Sequence, residues 1–152
     1  MGHSRGGIVI SQTAEARPEK VQSLVYLAAY LIPNGEAMLP TALSDTESLI
    51  ASNLVLNEAE GSHMLKTEAF RDTLYDDCSE EDVTLATALL TPEPNAPVAT
   101  PLSLSDERFG RVPRVYIETL RDKGVTPTLQ RTMYTATPCQ RIISMETSHS
   151  PF

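Results

Sequence analysis

Residues two to six, Gly2-His-Ser-Arg-Gly6, set a serine between two glycines in the spacing G-x-S-x-G. That spacing suits a sharp strand-to-helix turn whose strained backbone lifts the serine hydroxyl into the open. The flanking glycines keep side chains out of the crowded turn. Ser4 is therefore the candidate nucleophile, and the Arg5 N–H, at a helix N-terminus, is the candidate donor to an oxyanion. A serine nucleophile needs a base, and the base needs a carboxylate that fixes its tautomer. With this turn the chain order is serine, acid, histidine. Asp122 and His149 satisfy that order.

Other residues compete for these roles. His3 is the alternative base by adjacency, but a neighbour on a tight elbow points away from the hydroxyl. Glu118 and Glu146 are alternative carboxylates, one inside an expected strand and one at a strand end. His63 reads as a surface helix residue, and His149 alone would pass for a terminal loop histidine. Cys78 and Cys139 lie 61 residues apart, with no CxxC spacing and no Cys/His cluster that would mark a disulfide framework or a zinc site. Nothing beside Cys78 would activate its thiol. The reading calls for no cofactor and no metal.

These candidates must be held by an alternation of strands and helices. A helix is expected from Arg5 to Glu15. An apolar run from Val21 to Ile32, ended by Pro33-Asn34-Gly35, fits a strand buried on both faces, with a buried helix over Leu24 to Ile32 as the rival. Between Glu36 and Glu107 lie 15 of the 20 acidic residues, against only Lys66 and Arg71. Helical periodicity over 47–60, 66–75 and 80–90, with Ser79 as N-cap and Asp82 three residues on, predicts a helical insertion without sheet. The prolines of Thr91 to Pro97 forbid regular structure. Strand character returns from Val112 to Thr119. Thr126-Pro127 starts a helix running to Thr135. Arg141 to Met145 is another strand, and 147–152 a loop. Strands alternating with helices imply an α/β fold with a parallel sheet. Asp122 and His149 then follow successive strands, at the carboxyl edge where Ser4 also projects.

Bulk properties narrow the function. The 152 residues fit one domain, and a net charge of −8 without a basic stripe argues against nucleic acid. The longest apolar run, Ser23 to Pro33, is too short to span a bilayer, so no membrane partner is expected. No secretion signal is apparent, and a cytoplasmic location is the expectation.

At these residues the chain resembles the α/β-hydrolase superfamily, in the branch of plant methylesterases, hydroxynitrile lyases and bacterial pyrethroid-type esterases. The marks are Gly2-His-Ser-Arg-Gly-Gly7, Leu24-Val-Tyr-Leu-Ala-Ala29, Asp77-Cys-Ser-Glu-Glu-Asp-Val83, Thr91-Pro-Glu-Pro94, Arg114-Val-Tyr-Ile117 with Asp122-Lys123, and Ser148-His-Ser-Pro-Phe152. The resemblance implies the C-terminal part of that fold, with strands corresponding to its sixth to eighth. It divides the chain into elbow, helix and strand (1–33), a helical cap (34–110), and the last two strands with the acid and histidine loops (111–152). Cys78 becomes a cap residue near the pocket. Lyases of the branch carry lysine after the histidine, where this chain has Ser150, so hydrolysis of a small hydrophobic ester is favoured over cyanohydrin cleavage. The family's second oxyanion amide comes from a loop after the third strand, which has no counterpart here. An internal start or a truncated reading frame is the expectation. The elbow should then relax, activity should be near background, and the chain should self-associate through the sheet edge beside the sixth strand. The opposing reading is a non-catalytic remnant or subunit-complementing chain.

Overall fold

A computed structural model describes residues 1–152. The chain opens on β1 (Gly2–His3), turns at Ser4 and enters α1 (Gly6–Ala16), which leads through a 3-10 turn at Pro18–Lys20 to β2 (Leu24–Leu27). The insertion then holds α2 (Met38–Ser44), α3 (Leu49–Asn53), β3 (Leu54–Asn57), β4 (Ser62–Leu65), α4 (Phe70–Leu74), α5 (Glu80–Leu89), β5 (Glu93–Pro94) and α6 (Asn95–Ala99). The chain finishes with β6 (Arg114–Thr119), α7 (Pro127–Ala136) and β7 (Arg141–Met145).

The main sheet has the order β1-β2-β6-β7, parallel throughout. Its strands are short because the buried apolar run continues past them. Ala28 leaves β2 at φ +43, and Tyr30, Leu31 and Ile32 stay buried as irregular chain. Tyr26 and Tyr116 stack on neighbouring strands, 6.3 Å apart, and are fully buried. Their hydroxyls are satisfied by Ser11 of α1 at 2.7 Å and by the Ala29 carbonyl at 2.8 Å. Burying these rings is favourable because each phenol finds a partner. The start of α7 follows its sequence signal, with Thr126 Oγ1 accepting from Leu129 N–H and Pro127 in the first turn. Ser79 caps α5 in the same way, through Asp82 N–H.

The insertion departs from the helical expectation. Residues 47–60 form only a five-residue helix, after which β3, β4 and β5 build an antiparallel sheet. Leu49, Ile50, Leu54, Val55 and Leu56 fit a helical and an extended period alike, so local pattern does not decide between them. The turn decides. Asn57 Oδ1 accepts from Glu60 N–H, and Gly61 sits at φ +60, which closes a hairpin onto Ser62–Leu65. The proline-rich stretch is likewise ordered. Pro94 lies on an edge strand, where no ladder donor is needed, and Pro97 lies in the first turn of α6, where its missing N–H has no intrahelical partner.

Candidate active site

The elbow is held in its strained form. Ser4 has φ +52, a left-handed conformation that costs a non-glycine residue about 1–2 kcal/mol. Three backbone bonds fix it. Ser4 N–H donates to Leu27 O at 3.2 Å, and Ser4 O accepts from Tyr30 N–H at 3.0 Å and Gly7 N–H at 3.1 Å. The relaxation expected from the sequence is therefore not found, because pairing of Gly2 and His3 with Tyr26 and Leu27 ties the turn to β2. Of the two flanking glycines expected to be crowded, Gly2 is and Gly6 is not, its place being taken by Gly7. A Cβ on Gly2 would lie 2.6 Å from Gly6 O and one on Gly7 would overlap the Tyr30 carbonyl, whereas Gly6 has open space.

Beyond β7 the chain crosses back over the carboxyl ends of the strands. Leu120 N–H donates to Met145 O and Arg121 N–H to Thr147 O, which starts the crossing. His149 then lies buried, with its ring 4.7 Å from that of His3, the residue before Ser4. His149 Nδ1 donates to Asp122 Oδ2 at 2.8 Å. Asp122 is itself buried, and its Oδ1 accepts from Gly124 and Val125 N–H at 2.8 Å each. Its Oδ2 also takes the Thr119 hydroxyl at 2.9 Å and Gln130 Nε2 at 3.3 Å. With five donors on one carboxylate, the acid has one orientation. The proton on Nδ1 leaves Nε2 as the basic nitrogen, and Nε2 is buried without a hydrogen-bond partner, Ser4 included.

The other candidates go elsewhere. Glu118 is engaged by Ser144 at 2.7 Å, Tyr134 at 3.2 Å and Arg131 at 3.3 Å, away from His149. Glu146 meets its surroundings through its backbone carbonyl, which accepts from Arg121. His3 Nε2 donates to the His149 carbonyl at 2.8 Å, so it braces the histidine backbone. Burial, and secondarily the nearby His149, lower the His3 pKa from 6.5 to about 4. His63 is not a surface helix residue. It lies on β4, bonds Asn95 Oδ1 at 2.8 Å and helps line the cavity; the hairpin that puts it there was hidden from helical periodicity. Cys78 is outside the cavity lining, with its thiol against Ser150 O and its pKa raised by burial and by Asp77 and Asp82.

Ser4 and Arg5 open onto a cavity of about 160 Å³ between the sheet edge and the insertion. Tyr30, Met38, Phe70, Leu74 and Val98 supply apolar walls, and Arg5 pairs with Glu93 of β5 at the rim. No group of three or more His, Cys, Asp or Glu side chains is arranged to hold a metal ion. No helix is long and apolar enough to cross a membrane.

A parallel sheet with a serine elbow, an acid loop and a histidine loop on one edge, under an inserted lobe, is the arrangement of α/β-hydrolases. Comparison with known proteins agrees. No family model matches the chain. It is 32% identical over 161 residues to putative methylesterase 11, chloroplastic, of Arabidopsis thaliana, covering all of this chain and 41% of that protein. Methylesterase 18 of the same plant is 31% identical, with 64% of its length covered. A solved pyrethroid hydrolase from Sphingobium faniae JZ-2 superposes on 99% of this chain with a TM-score of 0.83 at 26% identity, using 62% of that structure. The chain thus has the fold of part of an α/β-hydrolase. Its homologues within that class are plant methylesterases and pyrethroid hydrolase. It spans about two fifths of the first of these relatives, and the chloroplastic label of several of them does not fit the cytoplasmic expectation.

Proposed function

We propose that the chain carries the nucleophile, base and acid of a carboxylic-ester hydrolase. The observation that supports this most is the buried His149–Asp122 bond, which leaves Nε2 unpartnered on a ring 4.7 Å from that of His3, the residue before an elbow serine that opens onto an apolar cavity. Ser4 Oγ attacks the ester carbonyl carbon and its proton passes to His149 Nε2. The oxyanion is met by the Arg5 N–H at the start of α1. His149 then protonates the departing alcohol, which leaves an acyl-serine, and water activated by the same nitrogen releases the acid. Asp122 keeps Nδ1 protonated and stabilises the imidazolium. The apolar walls suit a small or medium hydrophobic ester, and Ser150 after the histidine favours hydrolysis over cyanohydrin cleavage. Self-association through the β1 edge of the sheet belongs to the same proposal, and sedimentation of the chain tests it.

The competing reading is a binding or subunit-complementing chain without turnover. It draws on the absence of a Ser4–His149 hydrogen bond. A fluorophosphonate probe separates the two. The hydrolase reading expects covalent labelling at Ser4, located by peptide mass spectrometry, with labelling and short aryl ester turnover lost in Ser4→Ala and His149→Ala. A wild-type chain that takes no label, or full activity in the Ser4→Ala variant, would sink it.

A further inference from the structure

Three consecutive residues around the base are each tied to a different part of the fold. Ser148 N–H donates to Asp77 Oδ2 at 2.8 Å, and the Ser148 hydroxyl donates to Asp77 Oδ1. His149 is held by Asp122 through its ring and by His3 through its carbonyl. The Ser150 carbonyl lies 3.4 Å from the Cys78 thiol. Asp77 and Cys78 belong to the turn between α4 and α5, so the insertion grips the residues on either side of His149 while His3 of the sheet holds His149 itself. Arg121, in the loop after β6, closes the cluster. Its Nη2 stands 3.1 Å from Asp77 Oδ2 and 2.7 Å from the Glu146 carbonyl.

The ring of His149 has one fixed bond, to Asp122. His3 braces the His149 carbonyl and the Arg121 N–H holds Thr147 O, but neither fixes Ser148, and a displacement of about 1 Å at a reacting group can cost about a hundredfold in rate. Two bonds from one carboxylate to Ser148 add that hold. Burial raises the Asp77 pKa, but the two bonds from Ser148 and the Arg121 charge outweigh it and hold the carboxyl below its ordinary range. The latch is therefore charged wherever a histidine base works. Asp77 is not among the residues lining the cavity.

We infer that Asp77 is a positioning residue for His149: a carboxylate of the insertion latches the histidine loop, so that seating the insertion over the sheet edge also aims Nε2 at Ser4. The inference rests on the ester-hydrolase reading above. It couples the element that walls the cavity to the element that carries the base.

The experiment compares the 152-residue chain with its Asp77→Asn, Ser148→Ala and Asp76→Asn variants. Asp76 is the control, since it turns away to Lys123 at 2.9 Å. Aryl ester kinetics on Asp77→Asn should show kcat lower by about 10- to 100-fold with KM held within about threefold. Amide hydrogen exchange at Ser148 should quicken at least about tenfold, in line with loss of a charge-assisted bond. Ser148→Ala, which keeps the amide bond and loses the hydroxyl, should fall between Asp77→Asn and wild type. Asp76→Asn should match wild type. Unchanged Ser148 exchange in Asp77→Asn, unchanged kcat, or a KM that rises in step with the kcat loss overturns the inference. Should Asp77→Asn fail to fold, the same criteria apply to Ser148→Ala. A wild-type chain that neither labels at Ser4 nor turns over ester refutes the hydrolase reading, and the positioning role with it. Exchange at Ser148 then still decides whether the latch exists.

Discussion

Replacing Asp122 by asparagine keeps its shape and changes what one atom offers. The amides of Gly124 and Val125 both donate to Oδ1, so the asparagine oxygen must stay there. Its NH2 then occupies the place of Oδ2, facing the Thr119 hydroxyl, Gln130 Nε2 and His149 Nδ1. The Thr119 hydroxyl can turn. Gln130 cannot, because its Oε1 accepts from Thr119 N–H at 3.0 Å and its Nε2 also donates to the Val125 carbonyl at 2.7 Å. His149 responds by moving its proton to Nε2, which converts the nitrogen proposed as the base into a donor. One buried donor–donor conflict and the lost anion should cost about 2–3 kcal/mol. For a chain of this size that is a Tm lower by about 4–12 °C. The rate of fluorophosphonate labelling at Ser4 should fall by about 10⁴-fold, the size expected for a reversed tautomer. Glu118→Gln is the matched control, because Glu118 serves Ser144, Tyr134 and Arg131, and its labelling rate should stay within about threefold. Labelling of Asp122→Asn within tenfold of wild type, or a larger loss in Glu118→Gln, would refute the assignment of the acid.

Three further outcomes follow from the geometry. Ser4→Gly relieves a left-handed residue at φ +52, so it should abolish labelling yet raise stability by about 1 kcal/mol in urea denaturation; a less stable variant would show that the elbow stores no strain. Gly7→Ala should cost about 1–3 kcal/mol because its Cβ meets the Tyr30 carbonyl, while Gly6→Ala, with open space, should be neutral or slightly stabilising in the same assay. His3 has its folded pKa depressed from 6.5 to about 4, so between those values the unfolded chain binds the extra proton. Stability should therefore be full above about pH 6.5 and decline as pH falls toward 4. His3→Gln, which keeps a donor without titrating, should flatten that slope; a parallel pH profile in the variant would refute the cause.

Much of the frame could be read locally. The spacing around Ser4, the cap and proline of Thr126-Pro127, the Ser79 cap and the short apolar runs that became β2, β6 and β7 each act within a few residues, so their outcome is written where they stand. The strand-then-loop positions of Asp122 and His149 were legible for the same reason, because a parallel sheet puts every such loop on one edge. Tertiary structure alone decided the rest. Whether Leu54-Val55-Leu56 would be helix or strand depended on a partner strand across the hairpin, since the apolar pattern fits both periods. That pairing brought His63 to the cavity. Gly7, and not Gly6, was the crowded position because Tyr30 folds back against it. The bonds from His3 to the His149 carbonyl and from Ser148 to Asp77 join residues 146 and 71 positions apart. No local preference of histidine, serine or aspartate encodes such a contact. It exists only once the sheet has set β1 and β7 in one layer and the insertion has closed over their carboxyl ends.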